Sequence, residues 1–426
     1  MRDHELRKQV VSEMHLRRWP VLSVPCFIVQ WVLIVAPEER EDEAAYLDGF
    51  RDPEARHTNA PHLSGFLADG VEFSWERHSE GTSLSLFIDD VSEEELASAT
   101  LPDRVHEAIE WARGLPGKIM RAIQIRVVAD DAAAERLLPH MDFLRSELIS
   151  CNFGGAPRMW GDFRLKDDGF GKLVVAANGT DLRDFSRLVQ RLQDLDNYRN
   201  RALLGLPTAQ KAWPKLDAVG VRLAEVAARI AGDEAKDDIL LEQLSTYSAE
   251  LNAIANAIDY RLSATAAYAQ LVNERLEQLR VTPIDGYASL VDFTQRRFLP
   301  AIRTCAAVKD RQLGLSARAE RAASLLRARI STRIENQNAE LLRSMDRSTR
   351  MQLRLQQLVE GLSVVALSYY LIGLVGYVLK GAGHRWPGLD AEVALAVITL
   401  PVVLVVWLAT RLLKKRLLQG PDRRLP

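Results

Sequence analysis

The chain has 426 residues, 47 % of them hydrophobic and 26 % charged, with a formal net charge of -2. These globular values exclude a disordered or collagenous chain, and the near-neutral balance lacks the basic excess of a dedicated nucleic-acid binder, so no nucleic-acid partner is expected. Three cysteines make no disulfide framework, which points to a reducing compartment.

In chain order, the first apolar stretch is 19–37, preceded by Arg17 and Arg18. Pro20 and Pro25 break a helix there and Gln30 interrupts the run, while 27–36 is rich in Val and Ile. That pattern predicts a buried strand rather than a signal or anchor helix. Segment 38–54 carries eight carboxylates against two arginines and predicts a solvated helix or loop. Strands are predicted over 71–75 and 83–88, joined through a polar turn at 77–82, and over 119–128. A helix with an acidic start is predicted over 92–112. Segments 158–166 and 172–176 flank Asp167-Asp168-Gly169, a hairpin turn signal. Residues 1–179 therefore read as a mixed α/β head in an α+β chain.

From 180 onward the periodicity is helical. Thr180 or Asp181 suits an N-cap. Phe185, Leu188, Leu192, Leu195 and Leu203 lie near one stripe, and Pro207 is expected to end that helix. Between Gly232 and Pro283 there is neither Gly nor Pro, and Leu240, Leu244, Tyr247, Leu251, Ile254, Ile258, Leu262, Thr265, Ala269, Val272, Leu276 and Leu279 step by fours and threes. This is a coiled-coil-like seam. A shorter helix over 287–312 is expected to be interrupted by Pro300. The Gly- and Pro-free run 315–360 continues toward the C-terminal apolar region as one long helix. Its stripe (Ala319, Ala322, Leu326, Ile330, Ile334, Gln337, Leu341, Met345, Ser348, Gln352, Leu355) becomes polar toward the C-terminal apolar region and suits packing on the 236–281 helix within one subunit or contact between subunits. Residues 180–357 thus read as a long-helix stalk.

Segments 361–379 and 393–410 contain no charged residue. At 1.5 Å per residue each reaches roughly 27–29 Å, close to the hydrocarbon thickness of a bilayer. Gly381, Gly383, Pro387 and Gly388 lie between them, so 358–412 reads as a two-helix transmembrane hairpin followed by a basic tail, 413–426. Arg343, Arg347, Arg350 and Arg354 precede the first span; Arg411, Lys414, Lys415 and Arg416 follow the second. Basic flanks stay on the cytoplasmic side, which predicts two cytoplasmic termini and an outward loop in a bacterial inner membrane. The expected partners are the lipid bilayer and further copies of the chain.

Chemistry is harder to find. No phosphate-cradling Gly-rich loop, zinc-protease pair or nucleophile elbow occurs, so no cofactor is indicated and an enzyme is disfavoured. His57 and His62 flank Asn59, a weak chelating pattern or a loop. Two polar-aromatic clusters stand out. Trp75, Glu76, Arg77 and His78 end a predicted strand. Trp160, Asp162 and Arg164 alternate along 158–166, and strand geometry would place them on one face. An Asp–Arg pair beside Trp suits an anion or partner site, or a satisfied ion pair on a sheet face. Glu13, His15 and Arg17 form a third such knot. In the first span, Ser363, Ser368 and Tyr370 are candidate lining hydroxyls; with no charged residue in either span, a proton relay is disfavoured.

These knots, with Arg187-Leu188-Val189-Gln190-Arg191-Leu192, Tyr198-Arg199, Ala202 to Pro207, and the stretch from Gln337 through Gln352-Leu353-Arg354-Leu355-Gln356 to Tyr369-Tyr370, resemble a bacterial family of predicted membrane-anchored proteins, domain of unknown function 3422. The resemblance covers nearly the whole chain and implies no catalytic residue. A weaker, architectural likeness is to CorA-like magnesium channels, whose Gly-Met-Asn signature is replaced here by Gly376-Tyr377-Val378. Two readings follow: a membrane-anchored binding, scaffold or sensor module, and a CorA-like oligomeric cation channel or transporter.

Overall fold

The computed structural model describes residues 19–50, 62–78, 80–98, 102–232, 236–383 and 391–418, with His4, Glu5, Arg7 and Val11. They divide into two compact units, Met1–Ala323 and Ser324–Pro426. The Glu13–His15–Arg17 knot, His57 and Asn59, and most of the outer loop and basic tail lie outside the described residues.

The first unit is built on a nine-stranded sheet ordered β2-β3-β4-β1-β5-β8-β7-β6-β9. Its strands are β1 (Cys26–Ile34), β2 (His62–Ala68), β3 (Val71–His78), β4 (Gly81–Ile88), β5 (Lys118–Val128), β6 (Ile149–Asn152), β7 (Arg158–Gly161), β8 (Gly171–Ala176) and β9 (Thr282–Pro283). Only β5 and β8 pair in parallel; the other neighbours are antiparallel. Helix α1 (Arg40–Leu47) follows β1; α2 (Glu93–Ala97) and α3 (Asp103–Arg113) follow β4; α4 (Asp131–Leu137) follows β5. The predicted strand at 27–36 is thus β1, between β4 and β5. It is buried along nearly its whole length because both sheet faces are covered.

One face carries Val29, Trp31, Leu33, Phe73, Trp75, Leu84 and Leu86, packed with Leu47 of α1, Val105 and Ile109 of α3 and Ala134 of α4. The opposite face carries Ile28, Ile125, Val127 and Val175, packed with Phe185, Leu188 and Leu192 of α5 (Leu182–Leu203).

Four local expectations are corrected. The acidic segment around α1 is not wholly solvated: Glu43 is buried, accepting from the Trp75 indole at 3.2 Å and from Arg40 at 3.0 Å. The helix expected over 92–112 is two helices. Ser92 caps α2 in a capping box, and Pro102 stands at the N-cap of α3. Strand β7 stops at Gly161, because Phe163 takes φ +51° and ends the alternation. Pro207 does not end α5. That helix stops at Leu203, and Pro207 lies in the first turn of α6 (Gly205–Ala231), where a missing N–H leaves no bond unmade.

The helices expected as a separate stalk begin by sharing a core with the sheet. In α7 (Asp237–Leu279), Ala269, Val272 and Leu279 lie in the same apolar cluster as Ile125. Helices α6 and α5 lie successively along α7 in the antiparallel sense. Arg229 reaches Gln243 at 3.2 Å, Arg222 reaches Glu250 at 2.7 Å, Thr265 donates to the Ala202 carbonyl at 2.9 Å, and Tyr198 stacks on Tyr268 at 6.2 Å. The seam read from the sequence is therefore filled by this chain's own helices. Each fully buried leucine in it contributes about 1.5–3 kcal/mol relative to exposure.

After α8 (Leu290–Phe293), a π-helical turn spans Thr294–Phe298 and leads into α9 (Leu299–Gly383). Pro300 does not interrupt this helix. It falls in the first turn of α9, directly after the π-helical turn, whose bonding departs from the regular i→i−4 ladder. Within the first unit, α9 runs antiparallel to α7 and beside α6. Lys309 bonds Asp259 at 3.2 Å and Ser263 at 2.9 Å, and Arg311 pairs with Asp217.

The second unit holds the rest of α9 and α10 (Ala391–Leu418). The two helices form an antiparallel hairpin. A Cβ on Gly376 would come 3.2 Å from Leu395, and Lys414 pairs with Glu360 at 2.8 Å. Both helices are long and apolar enough to cross a membrane.

Candidate functional site

Along β1, β3 and β4 the face beneath α5 changes from apolar to polar. Register pairs Gln30 with Ser85 and Ser85 with Ser74, and it aligns Arg121, Val32, Ser83 and Glu76 in the next row. Cross-strand partners share a face, so these groups all look toward α5. From α5 come Asp194, Asn197, Tyr198 and Arg201, spaced i, i+3, i+4 and i+7, hence one helix stripe. The two sets meet in a crevice lined by Trp19, Gln30, Ser74, Glu76, His78, Ser83, Ser85, Asp194, Asn197, Tyr198 and Arg201.

One wall carries an ionic network, in which Arg199 Nη1 is buried without a hydrogen-bond partner. Asp196 pairs with both Arg121 and Arg199. Arg121 also donates to Asn197 at 3.0 Å and to Gln30 at 3.2 Å, and Gln30 donates to Ser85 at 3.0 Å. Burial pulls the Arg121 guanidinium below its ordinary pKa, opposed by the Asp196 carboxylate. Arg199 is stacked on Phe163 at 4.3 Å and Phe293 at 4.9 Å, which replaces water with aromatic faces.

The other wall also carries unpartnered donors. Arg201 is 3 % exposed, lies 5.9 Å from the Tyr268 ring centroid, and has a buried Nη2 without a hydrogen-bond partner. The Trp19 indole N–H is likewise buried and unpartnered. Glu76 lies 3.7 Å from His78, and Asp194 lies 3.4 Å from Arg275. His78 also bonds Ser83 at 3.0 Å. Burial, with Asp194 adding to it, raises the Tyr198 phenol. Among the described residues no cluster of three or more metal-ligating side chains occurs.

The sequence-predicted site residues are divided by the fold. Strand alternation sends Glu76 and His78 into the crevice. It sends Trp75 into the opposite core, with the Arg77 guanidinium 5.4 Å from its ring. Trp160 is buried in that same core beneath Arg158, 4.5 Å away. The expectation that Trp160, Asp162 and Arg164 share a strand face is corrected, because Asp162 lies beyond the end of β7. Its buried carboxylate accepts from the Leu144 and Arg164 backbone N–H groups, both at 3.1 Å, and from Lys166 at 2.6 Å. The Arg164 side chain pairs instead with Glu147 at 3.1 Å. In the apolar stretch of α9, Ser363 donates to the Val359 carbonyl of its own helix at 2.8 Å, Ser368 is buried, and Tyr370 is exposed, edge-on to Tyr369 at 6.0 Å.

Sequence reasoning missed Arg121, Asp196, Asn197 and Arg201. The available signals were Gln30 in an otherwise apolar strand and the polar stripe through Asp194, Asn197, Tyr198 and Arg201.

No curated protein and no solved structure matches the chain. Residues 2–417 match the family described as "Protein of unknown function (DUF3422)". With nearly its whole length covered, the chain belongs to the DUF3422 family.

Proposed function

We propose that the protein is a membrane-anchored binding module whose C-terminal hairpin holds a cytosol-facing head at the bacterial inner membrane. The observation that carries this reading is uncovered apolar surface. In the most apolar stretches of α9 and α10, 6 % and 0 % of the residues are buried by protein. Leu362, Leu374, Val397, Leu400 and Leu404 are exposed. Soluble chains do not leave two such helices in water. On an insertion scale each central Leu, Ile, Val or Phe contributes about 0.3–0.6 kcal/mol to partitioning into lipid. The basic flanks put both termini in the cytosol, and three free, buried cysteines suit that compartment.

The exposed stripe Ile334, Leu341, Met345 and Leu355 makes a second copy the natural partner of this segment, and the reading includes a homo-oligomer. The head then supplies recognition, as a scaffold or sensor, through the crevice under α5. The channel reading draws on no feature of its own, since Ser363 is engaged by its own helix and neither span carries a charged residue.

Alkaline carbonate and high-salt washes of bacterial membranes test the anchor. The full chain stays with the membrane pellet and enters solution only with detergent. A full-length monomer recovered without detergent sinks the reading.

A further inference from the structure

We propose that α9 carries one self-association face running unbroken from 334–359 into its apolar stretch, where Ala366, Tyr370 and Gly373 meet the same residues of a second copy inside the bilayer. The inference rests on the membrane-anchored reading and adds to it the intramembrane contact between copies.

Helix α9 is continuous over this region, so each residue turns by about 100° and rises by about 1.5 Å. With Ile334 as the reference line, Gln352 returns to it after about five turns and Tyr370 after about ten. Leu341, Met345, Val359, Ala366 and Tyr377 fall within about 40° of the line. The partly covered residues of the apolar stretch include Val364, Ser368, Ile372, Val375 and Gly376. These face α10, and all lie at least about 120° from the line. Every charged residue from Arg333 to Lys380 lies at least about 80° from it. Charge and the hairpin partner are thus kept to one side of α9. An uncharged strip roughly 65 Å long remains on the other.

Its continuity sets the occupant. Ile334, Leu341, Met345, Val359, Tyr370 and Tyr377 are all exposed. A strip that passes from water into lipid needs a partner that makes the same passage, and a soluble protein would cover only its cytosolic part. A second copy meets the requirement. It enters the membrane in the same sense, presents the same strip, brings no like charges face to face, and keeps its α10 on the outer side. Tyr370 lies about 13 Å from either end of the charge-free segment 361–379, at mid-depth. Its phenol is 72 % exposed and reaches no acceptor of its own chain among the described residues. Hydrocarbon offers no water to replace that acceptor, whereas a tyrosine hydroxyl of the neighbouring copy both donates and accepts. A Cβ on Gly373 would meet nothing within 4 Å among the described residues, and with Ala366 this small residue lets two helices approach closely.

The test is oxidative disulfide crosslinking in bacterial membranes, on the full chain with its three native cysteines replaced by alanine. Ala366→Cys and Gly373→Cys are expected to give crosslinked dimers. Val365→Cys and Leu371→Cys, about 140° and 100° from the line, are expected to stay uncrosslinked. In parallel, energy transfer between differently labelled full-length copies in liposomes reads their affinity without any cysteine change. Tyr370→Phe is expected to weaken association about threefold, the scale of one hydrogen bond between membrane helices, while Val365→Ile leaves it unchanged. A chain that resists carbonate extraction and crosslinks at Leu341→Cys but at neither Ala366→Cys nor Gly373→Cys overturns the intramembrane contact and leaves the anchored oligomer standing. Release by carbonate removes both. Equal crosslinking at all four intramembrane positions also overturns the contact. If the cysteine-free chain does not fold, energy transfer decides alone: no transfer, or the same affinity in Tyr370→Phe, overturns the proposal.

Discussion

Asp196 stands between two buried guanidiniums, and its removal would leave Arg121 and Arg199 facing each other without compensation. Asp196→Ala is expected to destabilise the fold by about 3–5 kcal/mol in equilibrium denaturation, because an unpaired buried charge costs more than the pair contributes. The three cysteines show a different consequence of burial. The Cys151 thiol is pushed up to about 11 by burial, and Cys26 and Cys305 are also raised, chiefly by burial. Alkylation by iodoacetamide at pH 8 should therefore be slow on the folded protein and complete on unfolding; one rapidly labelled native cysteine would contradict this. At the start of α8, Ser289 and Asp292 form a reciprocal cap, and the Ser289 hydrogen bonds hold Asp292 below the ordinary aspartate range. A depressed carboxylate stabilises above its unfolded pKa, and that contribution is lost as pH falls through the folded value. Ser289→Ala should cost about 1 kcal/mol at neutral pH, with the gap to wild type shrinking below the ordinary aspartate range.

Elements are held in place by contacts that leave little slack. A Cβ on Gly205 would collide with the Thr265 side chain, at the point where α5 gives way to α6 against α7. Gly205→Ala is expected to destabilise by about 1–3 kcal/mol, read as a shift in denaturation midpoint, because either helix must move to admit the methyl. Leu251, fully buried in α7, should cost about 2–5 kcal/mol as Leu251→Ala. Alternation acts just as firmly in β3. It places Trp75 and Glu76 in different layers, so neighbours in sequence have unrelated surroundings.

For the whole molecule the expectations concern lipid and copies of the chain. Reporter tags at either terminus should be cytoplasmic, and a tag in the outer loop should be reachable from the periplasm. Cysteine placed at Leu341 or Met345, in a background lacking the three native cysteines, should crosslink between copies in membranes, whereas cysteine at a residue off the stripe should not. Monomeric behaviour in mild detergent with no crosslink would remove the oligomer.

The sequence by itself determined the elements whose physics is local. A Val- and Ile-rich run preceded by prolines becomes β1, a Gly- and Pro-free repeat becomes α7, and charge-free stretches of bilayer length become the exposed hairpin helices. Solvent transfer and hydrogen-bond periodicity act within a few residues, so these features are legible one window at a time. Some departures were also local but subtle, such as the positive φ at Phe163 beyond the end of β7 and the π turn that precedes Pro300. The crevice was decided only by tertiary structure. Gln30, Arg121 and Arg201 meet because β1 lies between β4 and β5 and α5 crosses their polar ends, and no spacing in the chain encodes that encounter. The same long-range packing turned a seam that reads as a coiled coil into the wall of a single-chain core, because an apolar stripe specifies that it must be covered but not by what.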